Sequence, residues 1–77
     1  MVDIEAARDD LLAFSGYIDR EGLPPSVRAF QAATSVGSAS GAQYRLKRLA
    51  ALGWITRRSE GESRVWRMTE RGRKEAK

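Results

Sequence analysis

The run Gly22-Leu23-Pro24-Pro25-Ser26 divides the chain into two pieces that cannot belong to one helix. A residue before proline is pushed out of the helical region, and proline lacks the amide hydrogen that a helix interior needs. The segment is therefore an extended connector. Glu21-Gly22 reads as the stop of the helix before it and Ser26 as the N-cap of the helix after it.

Upstream, Ile4, Ala7, Leu11, Phe14 and Ile18 recur every three or four residues, which predicts a helix over about 3–20 with one apolar stripe. Asp3 is its N-cap, with a charge that suits the positive end of the helix dipole. Gly16 inside this helix costs about 1 kcal/mol relative to alanine. Downstream, Ser26 opens a short second helix, about 26–34, with Val27 and Phe30 toward the core. Ser35-Val36-Gly37 is a break, and Ser38 caps a third helix over about 39–52. There Ala42, Leu46, Leu49 and Leu52 fall on neighbouring faces, leaving Ser40, Gly41, Gln43, Tyr44 and Lys47 on the remaining surface. Gly53 ends the helix. A hairpin follows over about 54–68, with Ser59-Glu60-Gly61-Glu62 at its tip and Trp66 and Met68 sharing a core-facing side by the period of two. Thr69 caps a short, highly charged terminal helix, about 70–77. The fold class is mainly α with a small β-hairpin, a winged helix-turn-helix, and 77 residues are expected to form one domain, 1–77. A core this small needs nearly every large apolar side chain, so Trp54 and Trp66 are assigned to it rather than to stacking on single strands.

Composition narrows the function. The chain has no cysteine and no histidine, which removes the usual zinc ligands, the thiol nucleophile and the commonest general base. The expectation is a protein that is not an enzyme, with no metal, no cofactor and no small-molecule substrate. No apolar run approaches the ~20 residues that span a bilayer, so no membrane partner is expected. The acidic N-terminus lacks the order of a signal peptide, and a cysteine-free chain fits a reducing compartment. Cytoplasm is the expected location. Charge is segregated. Residues 1–27 hold six acids against Arg8 and Arg20, whereas residues 28–77 hold twelve Lys and Arg against four Glu. Such asymmetry suggests one face for solvent or a protein partner and another for a polyanion.

The stretch from Gly22 to Arg58 resembles the DNA-binding domain of the LexA repressor family. The likeness rests on the double-proline approach Gly22-Leu23-Pro24-Pro25-Ser26-Val27-Arg28-Ala29-Phe30, on the third-helix segment from Ser38 to Leu49, and on the exit Gly53-Trp54-Ile55. In this chain Ala29 stands where the family usually has an acidic residue, so the capping box from Ser26 is lost. The family's glycine between helices 2 and 3 falls on Ser35, and Gly37 is expected to take over that turn. The resemblance implies the DNA-reading head without the protease and dimerisation domain that LexA repressors carry.

By family position, Ser40, Gly41, Gln43 and Tyr44 are candidates for base contact, and Ser38 for a phosphate at the helix start. Gln43 is the most informative, because its amide matches N6 and N7 of adenine. Arg28, Arg45, Lys47 and Arg48 around this helix, and Arg57, Arg58, Arg64 and Arg67 in the wing stem, are candidates for phosphate contact. Each also has a plainer reading: Ser38 as a cap only, the others as a solvated surface. Glu60 and Glu62 should keep the wing tip clear of phosphates. The expected function is sequence-specific binding of double-stranded DNA by a small transcriptional regulator or repressor, of phage or mobile-element type by its size. The alternatives are a winged helix that docks on a partner protein and non-specific architectural DNA binding. One module buries only ~600–1,000 Å² on DNA, so a homodimer or a second partner is a further expectation.

Overall fold

A computed structural model of the chain describes residues 3–58 and 65–76. The order is α1 (Ile4–Glu21), α2 (Val27–Thr34), α3 (Ala39–Ala51), β1 (Ile55–Arg58), β2 (Val65–Met68) and α4 (Glu70–Glu75). The two strands pair antiparallel, with Ile55 opposite Met68 and Arg57 opposite Trp66. Three helices and a hairpin wing make a winged helix-turn-helix. The expected hairpin tip and Arg64 lie outside the described residues.

Each helix starts where a side chain satisfies a free amide. Asp3, Ser26, Ser38 and Thr69 accept from the N–H groups of Ala6, Ala29, Gly41 and Gly72. Such a cap is worth about 1 kcal/mol over alanine. Gly22 and Gly53 both take φ near +79°, the left-handed conformation that ends a helix without a Cβ penalty.

The turn between α2 and α3 departs from expectation. Gly37 has no positive φ; Ser35 itself takes the left-handed position, at φ 57° and ψ 30°. Its N–H donates to Ala32 O and that of Val36 to Gln31 O, so the turn satisfies the end of α2 at Ser35. A Cβ in this region is unfavourable by about 1–2 kcal/mol, and the bonds of this turn hold it there.

The core sits where the three helices meet the wing. Phe14, Phe30, Leu11, Leu46, Leu49 and Ile55 are fully buried, joined by Ala7, Ala42, Trp54 and Trp66. Ile18, Val27, Leu52 and Met68 pack at its margin. Ile4, expected in the stripe of α1, is instead 42% exposed. It is the first residue of α1, one turn beyond the Ala7 that first meets the core.

Thr69 joins the wing's end to the exit of α3. Its hydroxyl donates to Gly53 O at 2.6 Å, its N–H donates to Trp54 O at 3.0 Å, and its Oγ1 accepts from Gly72 N–H. This brings α4 so close that a Cβ on Gly72 would overlap the Trp54 carbonyl. Gly72→Ala is therefore expected to displace α4 and cost about 2 kcal/mol, in the range of overpacked sites. A thermal melt would read this as a drop of roughly 10 °C for a domain of this size, and an unchanged midpoint would refute the close approach.

Candidate nucleic-acid interface

Helix α3 follows the tight turn after α2, so it is the second helix of a helix-turn-helix. Ala42, Leu46 and Leu49 point inward and are fully buried. At 3.6 residues per turn, the opposite side of the cylinder carries Ser40, Gln43, Tyr44 and Lys47. All four are exposed, Tyr44 at 64%. Lys47 is one turn on from Gln43, and among the described residues it makes no ion pair. An amide, a phenol, a hydroxyl and an ammonium group thus share one outward strip with no carboxylate on it.

Gly41 falls apart from this strip. It is half-buried, and a Cβ there would lie 2.7 Å from Val36 Cγ1 and 3.3 Å from Ser38 Oγ. Its lack of a side chain lets the turn close against α3. The structure thus gives Gly41 a packing role and leaves only its backbone for any contact with a ligand. Ser38 is exposed, and its Oγ is engaged in capping Gly41 N–H at 3.1 Å.

Arg45 and Arg48, candidates for phosphate contact beside α3, are both bound to Asp10 of α1. Arg45 Nη1 donates to Asp10 Oδ1 at 3.1 Å and Arg48 Nη2 to Asp10 Oδ2 at 2.7 Å. The Asp10 side chain is 4% exposed and that of Arg48 only 14%, whereas Arg45 keeps 40%. The Arg48 guanidinium also lies 5.8 Å from the centroid of the Tyr44 ring, one turn earlier on α3. The physical reason is position: Asp10 lies three residues after Ala7 and four before Phe14, on the buried face of α1. A buried carboxylate needs compensating charge, and α3 supplies it. Sequence reasoning overlooked Asp10. The available signal was an acid in register with an apolar stripe, together with two arginines one turn apart on another helix.

The wing arginines do not form one cluster. Successive strand residues face opposite sides, so Arg57, paired with Trp66, lies on the side of Ile55 and Met68, while Arg67 lies on the other. The Arg57 guanidinium is 5.4 Å from the Trp66 ring centroid. Arg67 is exposed and lines an open cleft of about 470 Å³ with Ser15, Ile18, Asp19, Pro24, Met68 and Arg73. Arg58 is the last residue of β1. Arg28, near the start of α2, is exposed. Trp54 and Trp66 are core residues, not stacking platforms. Among the described residues no group of three acids could hold a metal ion, and no helix is long and apolar enough to cross a membrane.

Three packed helices, a hairpin wing and an outward third helix carrying polar and cationic side chains define a winged helix-turn-helix of the DNA-binding class. The family described as the LexA DNA binding domain matches residues 4–65, which is 62 of the 77 residues. The chain belongs to that family, whose partner is double-stranded DNA. No curated protein matches it.

Proposed function

We propose that the chain is a sequence-specific regulator of transcription that lays α3 in the major groove of double-stranded DNA and performs no catalytic step. The observation that carries this reading is the outward strip of Ser40, Gln43, Tyr44 and Lys47 on a helix anchored by a buried face. Base edges in the major groove present distinct donor and acceptor patterns, which an amide such as Gln43 can read in pairs. Lys47 and Arg28 would settle the helix on phosphates, which gives affinity but no sequence choice. Ser40 and Tyr44 would meet bases or the adjacent backbone. Among the wing cations, Arg67 and Arg57 face different sides, so only one of those two faces can follow a flanking strand. A single module of this size covers ~600–1,000 Å² of DNA, so repression at one operator would use a second copy or an adjacent site.

Selection of bound sequences from a random duplex pool tests this reading, with enrichment of a short motif expected. Gln43→Ala should relax the choice at one base position, losing about 1–3 kcal/mol of discrimination. Lys47→Ala should weaken all duplexes alike and reduce the log–log salt slope by about 0.9. Equal losses on every duplex from both substitutions would refute base reading by Gln43.

A further inference from the structure

We propose that Asp10, which no DNA can reach, is a specificity-determining positioning residue that pairs with two of the three cations of α3 and keeps the exposed one, Arg45, from phosphate. The inference rests on the DNA reading above. Arg45 and Arg48 lie one turn apart on α3, and each donates to a different oxygen of the one Asp10 carboxylate. That leaves Lys47 as the cation of α3 that points outward with Gln43.

The arrangement bears on binding because phosphate contacts and base contacts respond to different things. Every phosphate neutralised adds affinity for all sequences equally, and specificity is the difference between two affinities. A free Arg45 guanidinium on α3 would raise binding to every duplex while adding nothing to base choice. Held by Asp10, it contributes only weakly to that indiscriminate term. The same pair also reaches a candidate reading side chain. Arg48, held at 2.7 Å to Asp10, carries its guanidinium 5.8 Å from the Tyr44 ring centroid, where a cation–π attraction favours one ring position. Asp10 therefore acts twice on discrimination: it suppresses general attraction and it orients Tyr44.

The test is fluorescence polarisation with a selected duplex and a scrambled duplex of the same length, titrated from 50 to 200 mM salt. Asp10→Asn keeps the side-chain shape and removes the charge. It is expected to tighten binding to the scrambled duplex and to steepen the salt slope by about 0.9 as the Arg45 guanidinium is released, a roughly 3.5-fold larger loss over that salt range. The ratio of selected to scrambled affinity should fall. Adding Arg45→Gln to Asp10→Asn should reverse the steepening.

Arg45→Gln alone keeps the proposal testable without altering the buried acid. In the parent chain it should move the salt slope far less than Lys47→Ala does. Equal slopes for these two variants would overturn the proposal, as would an Asp10→Asn protein that folds by circular dichroism yet keeps the parent slope and ratio. A parent chain that binds neither duplex would overturn the DNA reading and this inference together. Parent binding with unmoved variants overturns only the inference.

Discussion

Phe30→Ala is expected to lower stability by about 3–5 kcal/mol, the usual toll for removing a buried aromatic ring. Phe30 is fully buried, and its ring lies 6.3 Å from that of Phe14 at 58°, a tilted arrangement favourable for aromatic pairs. It is also the single fully buried residue of α2, whose eight residues are too few to stay helical unaided. The substitution therefore removes the attachment of a whole element. A chain of this length has a total stability of roughly 4–11 kcal/mol, so urea unfolding should show a midpoint at much lower denaturant than the parent's. A loss under about 1 kcal/mol would contradict the packing of α2 against α1, because surface substitutions stay within that range.

The second large effect is at Asp10. Asp10→Ala should cost about 3–5 kcal/mol, because it leaves the Arg48 guanidinium buried without its counter-charge. Arg45, two-fifths exposed, can turn to water and softens the effect at that side. Arg48 cannot, since only 14% of its side chain meets solvent and its Nε already lacks a partner. A double variant separates the charge from the packing. Replacing Asp10 and Arg48 together by leucine should restore most of the lost stability, since a buried ion pair is often no better than apolar residues of similar volume. Chemical denaturation of the parent, single and double variants gives the comparison. A single variant as stable as the parent would mean that the carboxylate is not the anchor of α3 seen here.

Most element ends were legible because they are set by neighbours in sequence. Capping by Asp3, Ser26, Ser38 and Thr69 depends on a hydroxyl or carboxylate three residues ahead of a free N–H, and the two prolines and two left-handed glycines act through their own backbones. The apolar side of α3 was legible for the same reason, as a local period, and its complement is the outward strip. What escaped were features set by residues far apart in the chain. The Asp10–Arg48 contact spans 38 positions, and although its register with the apolar stripe sets Asp10 apart from Asp9, nothing near it in sequence names its partners. Ser35 escaped because serine is an unfavoured residue for the left-handed region, and Gly37 two positions later offered a plausible substitute. The separation of Arg57 from Arg67 follows from strand register, which the pairing of Ile55 with Met68 fixes and composition does not.

The contact between Gly41 and Val36 has a consequence for redirecting such a protein to new operators. Side chains at positions 40, 43 and 44 stand clear of the interior, so under the proposed reading exchanges there should alter the preferred motif while leaving the scaffold intact. Position 41 is less open to that kind of variation, because an added Cβ would lie 2.7 Å from Val36 Cγ1 and require the turn before α3 to give way. A library that randomises positions 40, 41, 43 and 44 should therefore yield a larger share of folded proteins from changes at 40, 43 and 44 than from changes at 41.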